Sequence, residues 1–506
     1  MAQTETLSLN RISGKTENVG DMEKANSEKR FVGGIGHRFT EDQLDLLHKA
    51  SLEIMARTGM RFYGQEAIDL FKKAGVDVSD GNLVRIPPQL TEWALKVAPK
   101  EITIHDRNGR PAMSFEKGRC YFGVGSDCLH VYDPYTSPFY DPGSRGRRRA
   151  VLEDVIRGVR LVDALPHLDF LMSMFIPADV PVQTYERHQM KVMLQESTKP
   201  IIFCGIEAAS TRYAVEMASV VAGGLDALQR SPFIINYINT ASAFRHNEEA
   251  VQRLLFAAER NLPTIYAPAN CRGTTAPMTV AGMMALGNAG QLAGLVLSQL
   301  KREGSPFILN HPSVGAMDMR WMRDLYVAPD KGSFGCELAH HYQLPLLGSG
   351  GCSDSKVFDT QAAAEAALTL FASLTSGANL IHCIGYLDSA MTGSLELMVL
   401  CDEIIGWLKR YLREIEVSEE TLALELIHEI GPDRDFLLTE HTLKHVREDW
   451  LPTVFSRTSY ERWAEEGMIT LEQRLNQKVR NILENHRADP LPDAVSRAIA
   501  NLVGDP

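Results

Sequence analysis

The stretch "LPLLGSGGCSDSKVFDTQAAAEAALTLF", Leu344 to Phe371, holds a short apolar run, a glycine turn, a polar cluster and an alanine-rich tail. It reads as one strand–turn–helix unit, with Ser353 or Asp354 offering an oxygen to the free N–H groups of the coming helix. The same unit recurs. Apolar runs begin at "DFLMSMF" (169), "PIIFCG" (200), "PFIINYI" (232), "PTIYAPA" (263), "PFILN" (306) and "NLIHCI" (379), and a helical stretch follows each. Most open near a proline, which a strand tolerates at its first residue. Short apolar strands alternating with helices indicate a parallel sheet, and seven or eight such units predict a closed (β/α)8 TIM barrel. "CYFGVG" at 120, ahead of "LEDVIRGVRLVD", is the candidate for the eighth strand. A doubly wound open sheet is the rival, but no glycine-rich dinucleotide fingerprint supports it.

Outward from this core, the text changes character. Residues 1–36 are polar without apolar periodicity and predict a mobile arm. In "FTEDQLDLLHKASLEIMARTG", Thr40 with Gln43 spells a capping box and Gly59 a stop. Residues 37–118 predict an α+β cap, 119–410 the barrel, and 411–506 a C-terminal helical segment, amphipathic at 417–429, 459–487 and 491–503.

The 506 residues carry a net charge of −12, which argues against extended contact with nucleic acid or anionic membrane, since both need a basic surface. We expect no membrane span, because no apolar run approaches ~20 residues. The N-terminus lacks a secretory hydrophobic segment. Eight scattered cysteines without CxxC pairs predict reduced thiols and a cytoplasmic protein.

A barrel does its chemistry at the C-terminal ends of its strands. The polar groups there are Asp127, Asp179, Glu207, Asn239, Asn270, Asn310, His311, Ser353 to Asp359 and His382 to Tyr386. Each alone is more often a helix cap than a ligand contact. Several strand ends together predict a pocket.

"GCSDSKVFDTQAAAEAAL" (351–368), "GTTAPMTVAGMMALGNAGQLAGLVL" (273–297), "PVQTYERHQMKVMLQESTKPII" (181–202) and "DFLLTEHTLKHVREDWLPTVFSR" (435–457) resemble the trimethylamine methyltransferase family of corrinoid-dependent enzymes. The likeness runs in order from about residue 40 to 503. It implies a TIM barrel that moves a methyl group from nitrogen to the Co(I) of a corrinoid (cobamide) carried by a partner corrinoid protein. Founding members use pyrrolysine. This chain has only the standard residues, so it resembles the branch acting on quaternary amines, glycine betaine foremost. Proline betaine, carnitine or a tertiary methylamine are the alternative donors, and a non-catalytic betaine-binding barrel is the rival from another class. Gly290 stands where the resemblance leads us to expect a carboxylate.

A quaternary nitrogen offers no N–H and is held by aromatic faces. The candidates for that cage are Phe122, Tyr237, Tyr266, Trp321, Tyr326, Phe358 and Tyr386. For any one of them, core packing is the blander explanation. A betaine carboxylate asks for donors, and His311, Arg320, Lys356 and His382 stand near strand ends. Lys356 and Asp359, three apart at a helix start, are the candidate catalytic pair; a local ion pair with a cap is the structural alternative. We expect no metal at His382-Cys383, since adjacent strand residues point to opposite faces. Arg145, Arg147, Arg148 and Arg149 in "SRGRRR" form a solvated face or a dock for an acidic corrinoid protein. A homo-oligomer is expected.

Overall fold

The computed structural model describes residues 38–504, except 117, 135–145, 269, 313–314, 325 and 329–333. Seven short strands carry the core: β1 (Tyr121–Val124), β2 (Ile201–Cys204), β3 (Ile234–Asn239), β4 (Thr264–Ala267), β5 (Phe307–Asn310), β6 (Leu346–Ser349) and β7 (Leu380–Ile384). They form one parallel sheet in the order β1-β7-β6-β5-β4-β3-β2. Each is a near-continuous apolar run, as strands covered on both faces are. The candidate run at 120 is therefore a ladder strand. The run at 169 is not. It makes only isolated parallel bridges, Gly123 to Phe170, Cys128 to Phe175 and Leu171 to Ile201, so it stands between the two edge strands and touches both. Two local features break its ladder: the Asp169 carboxylate takes the Phe122 N–H at 2.9 Å, and Met174 has φ +60°.

The sheet is strongly rolled. Tyr237 on β3 and His382 on β7 are separated by three intervening strands, which in a flat sheet would set them roughly 19 Å apart. Their rings lie 6.2 Å apart.

Helices follow the strands in the expected rhythm, among them Leu152–Ala164 after β1, Ala208–Ala222 after β2, Glu248–Glu259 after β3 and Val280–Lys301 after β4. Thr360–Ser376 follows β6 and Leu395–Tyr411 follows β7. The helix Val280–Lys301 corrects one expectation. At 22 residues it is long and apolar enough to cross a membrane by length and composition, but 83% of its apolar window is buried inside the protein. It is a core helix whose sequence resembles a span because neighbours surround it. Gly290 sits in its middle, where an added Cβ would lie 2.8 Å from Ala243 Cα. No carboxylate fits there, so this position serves close packing of the helix.

Before the sheet, the helix Glu41–Glu53 starts at Thr40 with both capping-box bonds formed. It runs on into a π turn, Ile54–Thr58, and ends at Gly59, whose φ of +81° and 2.8 Å approach to the Val84 carbonyl admit only glycine. After the sheet, the chain is helical at Leu471–Asn485 and Asp493–Val503. Between lie four short helices, and no residue from 411 to 453 is buried. That excursion is fixed at its base. Asp449 pairs with Arg410 and Arg413, and Glu403 accepts the N–H groups of Thr453, Val454 and Phe455.

Candidate functional site

The C-terminal ends of a parallel sheet share one edge, and the polar side chains gather there. β1 runs out through Gly125 into Ser126 and Asp127. Tyr386, just past β7, places its hydroxyl to accept the N–H of Ser126 at 2.5 Å and of Asp127 at 3.2 Å. A Cβ on Gly125 would sit 1.8 Å from that hydroxyl, so glycine is required for the approach. Asp127 is reached by solvent yet enclosed by protein, as a group on the floor of a recess is. Burial pushes its carboxyl up, opposed by the Ser126 hydroxyl, which donates to Oδ1 at 2.9 Å. Among the described residues no Lys, Arg or His forms an ion pair with it.

Around Asp127 stand tyrosines and thiols that feel its charge. Burial first, with Asp127 contributing, raises the pKa values of Tyr237, Tyr386, Tyr185 and Cys204. Cys204 is pushed up to about 12, so it stays a neutral thiol. Tyr237 has its carbonyl held by the buried Arg253 guanidinium, and Asn239 shares its face of β3. His382 stacks against His311 with ring centroids 6.2 Å apart. The structure thus brings Tyr237, His311, Tyr326, His382 and Tyr386 together.

One premise fails at β7. Cys383 has φ +77°, and the register against β1 shifts between Ile381 and Ile384, so alternation is broken by a bulge. The side chains of His382 and Cys383 therefore meet, Sγ to Nδ1 at 3.4 Å, and Tyr326 places its hydroxyl 3.2 Å from the same sulfur. Among the described residues no group of three or more His, Cys, Asp or Glu has the geometry to hold a metal.

Other expected cage residues lie elsewhere. Phe122 is fully buried on the outer face of β1, with Lys409 of a covering helix 5.3 Å above its ring. Tyr266 also points outward. Its register partner is Ile238, not Tyr237, and its hydroxyl meets His246 Nδ1 at 2.7 Å. His246 is itself stacked on Phe62 and held neutral by burial, its pKa lowered to about 3. Arg320 and Trp321 occupy the tip of an exposed hairpin, Gly315–Asp318 with Arg323–Asp324, where Arg320 pairs with Asp318 at 2.7 Å. Phe358 is half-buried against the core.

The polar cluster after β6 is mostly scaffold. Glu365 accepts from the Ser353 hydroxyl at 2.7 Å and from the Asp354 N–H at 2.9 Å. Asp354 in turn takes the Val327 N–H and the Ser389 hydroxyl. Asp359 is the N-cap of its helix, accepting from Ala362 N–H at 3.0 Å, and exposed Lys356 reaches Asp388 at 3.5 Å. Neither turns to the recess, because each answers a nearer electrostatic demand. Asp359→Ala should lower the unfolding free energy by about 1 kcal/mol and leave methyl transfer per folded molecule unchanged; a large loss of turnover at unchanged stability would restore Asp359 to the catalytic role.

Asp388 also receives Arg147 at 3.4 Å and Arg323 at 3.3 Å, and it opens a run of three residues, Asp388, Ser389 and Ala390, all with φ between 51° and 68°. The arginine run is not a single solvated face. Arg147 turns to Asp388, Arg148 turns inward to Asp154 and Asp133, and only Arg149 of the three is exposed. Arg145 lies outside the described residues.

Ser126, Tyr185, Glu186 and Arg253 escaped the sequence reading. For Ser126 and Asp127 a signal existed: two glycines inside "YFGVGSD" mark a strand that something approaches closely.

A family model described as trimethylamine methyltransferase (MTTB) matches residues 14–504. The chain is 29% identical to trimethylamine methyltransferase MttB of Desulfitobacterium hafniense (strain DSM 10664 / DCB-2) over 470 residues, covering 92% of this chain and 93% of that protein. It is 30% identical to the glycine betaine methyltransferase of Desulfitobacterium hafniense (strain Y51) over 468 residues, covering 91% and 95%. Trimethylamine methyltransferase MttB of Methanosarcina thermophila is 26% identical over 484 residues, covering 93% and 98%. Among solved structures, a dihydropteroate synthase from Coxiella burnetii aligns at 12% identity with a TM-score of 0.34, over 60% of this chain and 98% of that one, a likeness too slight to bear on the fold. The match over nearly the whole length decides the matter: this chain belongs to the trimethylamine methyltransferase family.

Proposed function

We propose that the protein is a quaternary-amine methyltransferase with a closed (β/α)8 barrel, whose donor is glycine betaine and whose acceptor is the Co(I) corrinoid of a partner protein. Closure is supported by the bridges from Phe170 and Leu171 to both edge strands and by the Tyr237–His382 contact across the rolled sheet. The corrinoid acceptor and its partner protein follow from the family. A cytoplasmic setting suits the reaction, because reduced cobalt and eight free thiols both ask for reducing conditions.

The observation that carries the donor class is Asp127. A carboxylate without a cationic partner, enclosed with Tyr237 and Tyr386, is a site waiting for a positive charge. A quaternary ammonium brings a permanent charge and leaves as a neutral amine, so methyl transfer asks for positioning and desolvation and for no proton donor. Arg272 favours a zwitterion over a simple amine. It lies just past β4 on the same edge of the sheet, its Nε is buried without a hydrogen-bond partner, and no carboxylate among the described residues pairs with it. A betaine carboxylate supplies what that guanidinium lacks.

Incubation with reduced corrinoid and a panel of methylated amines tests this reading. Glycine betaine should give the methylated-corrinoid absorbance change, and trimethylamine should give little at any pH. Efficient trimethylamine demethylation would refute the donor class, and turnover with carnitine or proline betaine alone would move the assignment to those donors.

A further inference from the structure

The excursion between Tyr411 and Leu451 is anomalous for a surface segment. Thirteen of its large apolar side chains are at least 40% exposed, among them Ile415 (81%), Val417 (73%), Leu437 (71%) and Leu438 (87%). Its three helices, Glu419–Leu422, Leu424–Ile430 and Glu440–His445, bury none of their residues. The largest apolar patch on a typical monomer is roughly 300–600 Å²; these side chains together present on the order of 1,000 Å² of apolar surface to water.

The same chain carries an apolar groove. A groove of about 750 Å³ runs between the outer faces of helices Thr360–Ser376 and Leu395–Tyr411, lined by Leu368, Phe371, Ile404, Trp407 and Leu408, and closed by Phe455. Leu368 and Trp407 are half exposed in it. Groove and excursion are continuous, since Tyr411 ends the one and begins the other.

We propose that the 412–451 arm of one copy packs into the 363–411 groove of a second copy, reciprocally, across a two-fold axis. Four observations select a second copy over an unrelated partner. Both halves of the contact exist on every chain, so an isologous pair satisfies arm and groove together. Two arms bury together on the order of 2,000 Å², the range of obligate homodimers. The charges complement each other: residues 414–448 hold ten carboxylates against three lysines and arginines, whereas Arg457 stands at the groove, 5.7 Å from the Trp407 ring. The base of the arm is pinned at Asp449 and Glu403, while none of the arm's residues is buried against its own body. The groove lies on the helical shell, so the pair leaves the strand-end recess open. This proposal does not depend on the reaction assigned above.

Light scattering of the full chain at tens of micromolar should give twice 56.2 kDa. The arm variant Leu437→Glu/Leu438→Glu and the groove variant Leu368→Glu change exposed residues and should each be monomeric with native circular dichroism. Mixing the two should restore dimers, because the intact arm of the groove variant meets the intact groove of the arm variant. Hydrogen exchange on the unmodified chain, which no folding defect affects, should show protection of 414–448 that rises with protein concentration. A monomeric unmodified chain, dimers in either single variant, failure of the folded variants to complement, or protection independent of concentration (the arm folded on its own groove) would each overturn the proposal.

Discussion

Asp127→Asn should cut kcat/KM for a quaternary donor by about a hundredfold or more and, at neutral pH, raise the melting temperature. The first effect follows from removing the counter-charge of a desolvated cation, a loss of roughly 3 kcal/mol or more. Asparagine keeps the oxygen that accepts from Ser126, so the turn under Tyr386 stays in place. The second effect has the opposite sign for a physical reason. Burial raises the folded-state pKa of Asp127 above its unfolded value, so the stability linked to its proton is present at low pH and lost as pH rises through the folded pKa. A neutral side chain escapes that loss. The same shift sets a pH profile: kcat/KM should fall on the acid side as Asp127 protonates, at a higher pH than an unburied aspartate would give, and the variant should lose this limb. Unchanged kcat/KM in the variant, or a fall in activity matched by a fall in stability, would remove Asp127 from the site.

Arg148→Ala should destabilise the fold by about 3–5 kcal/mol, the cost of breaking a buried ion pair from one side. Arg148 gives two bonds to Asp154, at 2.6 and 2.8 Å, and reaches Asp133 at 3.3 Å. Arg157 shares both carboxylates, at 3.0 Å to Asp133 and 3.5 Å to Asp154, and all four side chains are at most 17% exposed. Losing one guanidinium leaves two desolvated carboxylates on the other. A denaturant midpoint measures the loss. The Michaelis constant for the corrinoid protein, taken on folded molecules, should not move; a rise there with an unchanged midpoint would make Arg148 a docking residue.

The fold was legible because a strand–helix repeat writes itself as period: apolar runs, prolines at strand starts, alanine-rich stretches after each turn. Side-chain direction was not. Phe122 and Tyr266 sit on correctly placed strands, but which face a residue takes depends on register with the neighbouring strand, and that is a tertiary fact. Tyr237 and Tyr266 read alike in sequence; pairing Tyr237 with Ile265 sends them to opposite sides. The bulge at Cys383 overrode the alternation rule where it was applied to His382 and Cys383. Lys356 and Asp359 drew attention by spacing, while Asp127 was legible only as one of many polar residues at strand ends, and the approach of the distant Tyr386 was marked by nothing but its glycines.

Asp388 has a mechanical consequence. Arg147 precedes the first covering helix, Arg323 belongs to the hairpin after β5, Lys356 follows β6, and Asp388 itself follows β7. Four loops around the recess are thus moored to one carboxylate, and they cannot open one at a time without stretching the others. If the proposed acceptor enters here, its entry should be a single collective event with one relaxation rate. Each mooring is a partly exposed ion pair worth at most about 1 kcal/mol, so the rate should climb with ionic strength as the pairs are screened. The left-handed turn at Asp388 to Ala390 adds strain at the same point, since such a backbone costs roughly 1–2 kcal/mol per residue. Three loops are thus tied at one charged point on a fourth, and the backbone there is itself left-handed.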